Sequence, residues 1–128
     1  MVRDSAIASK KADIPQFNLL TSRGANANLW ANDWKIFHPL LYSRSKGLIE
    51  NEVMSIDFKR TSIFRPGLLI RGDRARFEEK LFANIMGGTR VEDVAKAMIY
   101  DAESSEVNDN VEKPVIYEEK DIQYLAKL

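Results

Sequence analysis

Residues 58–67, FKRTSIFRPG, alternate polar and apolar side chains around Thr61 and Ile63 and are closed by Pro66 and Gly67. That pattern predicts a strand ending in a turn, because β-branched and aromatic residues suit a pleated surface and a proline-glycine pair ends a ladder. Upstream, FNLLTS at 17–22 is an apolar run passing into small hydroxyl residues and then RGANAN, the pattern of a buried strand entering a loop. Between these two, residues 40–56 set Leu41, Leu48, Ile49 and Val53 mostly on one side of a helix. Strand, helix and strand in this order predict a parallel βαβ unit. In such sheets ligands collect beyond the carboxyl ends of the strands, which here are Thr21-Ser22 and Arg65-Pro66-Gly67.

Outward from this unit, residues 2–11 carry Val2, Ile7 and Ala8 at loosely helical spacing, and Pro15 stops any continuation. A long loop is expected from 23 to 39, with Trp30, Trp34 and Phe37 in it. Residues 76–86 predict a helix ended by Gly87 and Gly88. Thr89 and Glu92 then have capping-box spacing ahead of a further helix through VAKAMIY. The acidic DAESSEVNDN reads as a mobile stretch, 114–117 as a short strand and 119–127 as a terminal helix. There is no internal repeat.

The 128 residues, 45% apolar and 30% charged, suit one small globular domain. Nineteen basic and nineteen acidic side chains cancel, so the chain lacks the positive field that draws proteins to phosphate backbones, and no nucleic-acid partner is expected. With no cysteine there are no disulfides, no thiolate chemistry and no cysteine-bound metal. His38 is the single histidine, which excludes a histidine metal cluster and leaves no obvious Ser-His-Asp triad. The amino end is charged, and no run approaches the roughly 20 apolar residues that span a bilayer. These features predict a cytoplasmic protein with no membrane span and no metal.

Tyr42 and Lys46, in LLYSRSKGLIE at 40–50, lie one helical turn apart and so face the same side. A lysine ammonium near a phenol favours the phenolate, the property a tyrosine needs to trade protons with a substrate hydroxyl or carbonyl. Tyr42 would be the acid/base and Lys46 would tune it, with Ser22, or Thr21 in its place, holding the substrate oxygen. The spacing alone is a weak motif, and a solvated helix face is the competing account. Other features also have two readings. His38 is a loop residue or a substrate contact. Trp30, Trp34 and Phe37 form a lid or tuck the loop onto the core. Arg71, Arg74 and Arg76 around Asp73 meet a phosphate or solvent. Met86, Met98 and Ile99 read as helix core.

Taken in order, FNLLTSRGAN, YSRSKGLIE, FKRTSIFRPGLLI and TRVEDVAKAM resemble the atypical short-chain dehydrogenase/reductases, and most of all the Tat-interacting oxidoreductase family. The resemblance covers about residues 2–100 and, more loosely, PVIYEEKDIQYLAK; the phrase around FRPG is its most specific part. It implies an NADP- or NAD-linked oxidoreductase acting on a small carbonyl or alcohol. Ser22, Tyr42 and Lys46 would be its catalytic set, with Lys46 also bonding the cofactor ribose. Arg65, Pro66 and Gly67 would line the nicotinamide and substrate side. It equally implies a second class of role, a non-enzymatic regulatory protein with protein partners, linked to transcription, nuclear import and cell death, with the nuclear envelope as a further location. A truncated product without activity of its own is the third reading.

Two departures from that family matter. No glycine-rich G-x-G-x-x-G turn follows a strand anywhere in the chain. Residues 1–128 are therefore expected to be a single partial domain: α/β, the C-terminal portion of a doubly wound, Rossmann-like parallel sheet whose N-terminal dinucleotide half is missing. The second departure is an insertion around NLWANDWKIFHPL between the serine and the tyrosine. A sheet lacking half its strands leaves a long edge open, which predicts a chain that is poorly stable alone or needs a partner.

Overall fold

The 58–67 stretch forms the central strand of a parallel sheet in the computed structural model, which describes residues 1–29, 38–70, 88–104 and 114–128. This strand, β2 (Arg60–Arg65), is flanked by β1 (Gln16–Leu20) and β5 (Val115–Glu118), with Leu19 opposite Ile63 and Phe64 opposite Tyr117. Thr61, Ser62, Ile63 and Phe64 of β2 are all buried, as a strand covered on both faces requires.

Alternation along β2 divides the core. Ile63 joins Ala6, Leu19, Val53 and Phe58 beneath α1 (Val2–Lys11) and α2 (His38–Met54). Phe64 joins Val94, Ala97 and Ile122 on the other face, beneath α3 (Val91–Ser104) and α4 (Glu119–Leu125). Ring pairs add to each half, Phe17 stacked on Phe58 at 5.1 Å and Phe64 tilted against Tyr117 at 4.9 Å between centroids. The turns from α1 and α2 into the strands that follow each place an aspartate in the left-handed region, Asp13 at φ 60° and Asp57 at φ 57°. Aspartate tolerates that conformation better than most side chains.

A second, two-stranded parallel sheet, β3 (Leu68–Ile70) with β4 (Gly88–Arg90), was not expected from the sequence. Thr89 consequently is no helix cap. It lies buried within β4 and its hydroxyl donates to Glu119 Oε1 at 3.3 Å. The capping box that does form is at α4, where Glu118 and Asp121 exchange side-chain and backbone hydrogen bonds. His38 opens α2 and is not a loop residue, and the first residues of DAESSEVNDN finish α3. Ile99 is 58% exposed, whereas Met98 packs on the core as expected. Trp30, Trp34, Phe37, Arg71, Asp73, Arg74, Arg76, Met86 and the helix expected at 76–86 lie outside the described residues. No described helix is long and apolar enough to cross a membrane.

Candidate active site

The β1 to β2 ladder runs on past the end of β1. Thr21 N–H donates to the Phe64 carbonyl at 2.9 Å and Arg23 N–H to the Pro66 carbonyl at 2.8 Å, which fixes Ser22 between them at the lip of the sheet. Beyond this lip lies an open cleft of about 410 Å³ lined by Thr21, Ser22, Tyr42, Pro66, Gly67, Leu68 and Leu69. Its position follows the rule that binding crevices form at the carboxyl ends of parallel strands.

Ser22 and Tyr42 thus share one cleft, although one ends a strand and the other belongs to a helix. The Ser22 Oγ is buried and has no hydrogen-bond partner among the described residues. Arg60 Nε and Ser62 Oγ are likewise without a described partner; of the three groups only Ser22 lines the cleft, within reach of a bound molecule. Tyr42 is 52% exposed, and Lys46 Nζ stands 5.4 Å from the centre of its ring, as the one-turn spacing predicts. Lys46 itself is not part of the cleft lining.

Pro66 and Gly67 form the opposite wall with Leu68 and Leu69. Gly67 lies close against the Glu119 side chain: a Cβ there would be 2.7 Å from Glu119 Oε2, so the carboxylate would have to shift. Glu119 is in turn held by Arg23 Nη1 at 3.0 Å. Arg65 points elsewhere. Its Nε and Nη2 donate to the two oxygens of Glu50 at 3.0 and 2.6 Å, and its Nη1 to Glu118 at 3.1 Å. The hydrogen bond to Glu50 is the main reason its pKa is raised above the ordinary arginine value.

Sequence reasoning missed Glu50 and Gly47. Glu50 is only 2% exposed and also accepts the Thr21 hydroxyl at 2.6 Å. Gly47 lets the loop after β1 lie directly on α2. An added Cβ would be 2.2 Å from Ala27 N and 2.4 Å from the Asn26 carbonyl carbon, and Asn26 N–H donates to the Ser43 carbonyl at 3.0 Å. No local pattern marks either residue.

A parallel sheet with helices on both faces and a cleft at its carboxyl edge defines an α/β protein of the Rossmann-like kind. No protein-family model matches the chain. Over 83 residues it is 35% identical to the protein named FMP52-2, mitochondrial, of Scheffersomyces stipitis, a match covering 65% of this chain and 32% of that protein. The protein FMP52, mitochondrial, of Meyerozyma guilliermondii is 32% identical over 114 residues, 77% of this chain and 45% of the relative. Protein HTATIP2 of Rattus norvegicus is 38% identical over 69 residues, 56% of this chain and 27% of the relative. These relatives are atypical short-chain dehydrogenase/reductases, as the resemblance implied, and the chain spans less than half the length of each.

The relatives overturn the cytoplasmic expectation. Six FMP52 proteins similar to this chain are named mitochondrial. That expectation rested on the absence of cysteine and of a membrane-length apolar run, and neither property distinguishes one compartment from another.

Proposed function

We propose that this chain carries the catalytic portion of a short-chain dehydrogenase/reductase that interconverts a small carbonyl and its alcohol. The observation that supports this most is the convergence of Tyr42 with the partnerless Ser22 hydroxyl in one cleft at the strand ends. Ser22 donates to the substrate oxygen and fixes it beside the Tyr42 hydroxyl. Tyr42 delivers or accepts the proton. Lys46, a cation over the Tyr42 ring, offsets negative charge that develops on the phenol.

The residues present fit a nicotinamide cofactor on this side of the cleft. The orphan Ser22 hydroxyl stands at the proton-transfer end, and Pro66 and Gly67, with Leu68 and Leu69, give an apolar wall suited to a flat ring. NADP or NAD, when bound, would supply the hydride. Arg65 stands behind that wall, and Lys46 would bond a ribose hydroxyl, as the resemblance implies. The glycine-rich cradle for the pyrophosphate would come from sequence outside these 128 residues, either more of the same polypeptide or a partner, in keeping with the share of its relatives that this chain spans.

Quenching of Trp30 and Trp34 fluorescence by NADPH or NADH tests the cofactor step. Saturable quenching is expected once the cradle is supplied, and its absence at millimolar cofactor would end the oxidoreductase reading. Tyr42→Phe should abolish turnover and leave cofactor binding nearly intact; unchanged turnover would remove the proton-transfer role.

A further inference from the structure

Glu50 sits where the catalytic helix meets the ends of the strands. Its carboxylate accepts the Thr21 hydroxyl at 2.6 Å and two N–H groups of Arg65, at 3.0 and 2.6 Å. Arg65 extends the chain of contacts to Glu118 at 3.1 Å, so α2 is joined to the ends of β1, β2 and β5 through one carboxylate. Thr21 immediately precedes Ser22, and Arg65 immediately precedes Pro66. Each strand residue that Glu50 holds is therefore the chain neighbour of a residue lining the cleft. On α2, Glu50 follows Lys46 by one turn and Tyr42 by two, so a rotation or slide of the helix that broke this contact would carry the tyrosine with it.

We propose that Glu50 is the positioning residue of the cleft, clamping α2 onto the strand ends through Thr21 and Arg65 so that Tyr42 and Ser22 stay in register across it. The proposal rests on the proton-transfer reading of the cleft, because the separation it holds is the one that reading uses. A carboxylate taking three charge-assisted or hydroxyl hydrogen bonds in a buried place is a directional tie, unlike apolar packing, which tolerates sliding. Arg65 in this arrangement acts through Glu50, with its planar fork matched to the two carboxylate oxygens.

The test uses the absence of native cysteine. Spin labels attached through Ser45→Cys on α2 and Tyr124→Cys on α4 report the distance from the catalytic helix to the opposite face of the sheet. Adding Glu50→Gln, which keeps the size and removes the charge, should widen the distance distribution at least twofold while the circular dichroism spectrum is retained. Thr21→Val, which deletes one hydroxyl contact, should widen it less, and carries the test should Glu50→Gln not fold. Arg90→Gln, which removes an exposed ion pair with Glu92 and touches none of the clamp residues, should leave it unchanged. The proposal fails if neither clamp variant alters the distribution, or if Arg90→Gln broadens it as much. NADPH-dependent reduction of 4-nitrobenzaldehyde, with the cradle supplied, separates the two ideas. No turnover with a clamp-dependent distance sinks the oxidoreductase reading alone. Turnover that Tyr42→Phe abolishes and Glu50→Gln leaves unchanged sinks the clamp alone; the clamp predicts at least a tenfold loss of kcat with KM little changed.

Discussion

Gly47→Ala is the substitution for which the structure and intrinsic propensity disagree in sign. In a helix interior alanine is favoured over glycine by about 1 kcal/mol. The added methyl, however, would meet Ala27 N at 2.2 Å and the Asn26 carbonyl carbon at 2.4 Å, against an ordinary contact of about 3.5–4.0 Å. The obstructing atoms are backbone, so no rotamer change relieves the overlap, and the loop after β1 must retreat by more than about 1 Å. Such overpacking costs about 1–3 kcal/mol. Retreat also breaks the Asn26 N–H to Ser43 carbonyl bond, worth about 0.5–1.5 kcal/mol. Subtracting the propensity gain leaves a net destabilisation of about 0.5–3.5 kcal/mol. Urea unfolding followed by circular dichroism should show a lower midpoint with an unchanged slope. Backbone amide shifts should move most over residues 22–29. A variant as stable as the parent, or more stable, would refute the close approach of loop and helix.

Three further outcomes follow from the packing. Asp101→Asn weakens a carboxylate that is fully buried and accepts from Arg60 at 2.5 Å, Tyr117 at 2.7 Å and Gln16 at 2.8 Å; breaking one partner of a buried pair costs about 3–5 kcal/mol, read as a loss of unfolding free energy. Burial first, and then the bond to Asp101, push the Tyr117 hydroxyl up from 10.0 to about 12. The unfolded chain then releases this proton at lower pH than the folded one, so the stability it contributes is complete below pH 10 and lost as pH rises toward 12. Melting temperatures across that window should fall less steeply in Tyr117→Phe. Ile63→Ala, at a fully buried position in the central strand, should cost about 2–5 kcal/mol by the same unfolding measurement.

The architecture was legible where side-chain chemistry repeats along an element. The alternation in RTSIFR, the apolar run FNLL and the Pro66-Gly67 stop located β1 and β2, and the rule about strand ends located the cleft. The inner face of α2 was legible only in part: Val53 is buried and Ile49 packs against the same core, as its apolar spacing implied, but the residues facing the strand ends were not foreseen. Leu48 is 45% exposed, while Gly47 and Glu50 are buried, the reverse of an apolar stripe. Glycine is there because the loop backbone needs the space, and glutamate because its partners Thr21 and Arg65 arrive from distant strands. Neither reason is local, so no helical periodicity carries it. The strands β3 and β4, three residues each, are too short for a period, and Thr89 imitated a cap because its real partner, Glu119, lies far along the chain. The expected catalytic pair needed only one helical turn to come together, whereas its convergence with Ser22 depended on the parallel pairing of two strands.

That pairing also bears on how the molecule forms. Phe17 lies opposite Thr61 and Ser62 opposite Val115, so every rung of the main sheet joins residues far apart in sequence. Parallel pairing of this kind closes large loops before any rung is gained, and chains dominated by such contacts fold slowly. The helices can form early on local bonds, but the lip that holds Ser22 exists only once β1 and β2 have met. The cleft therefore cannot be present in any locally folded piece of the chain and requires the paired sheet.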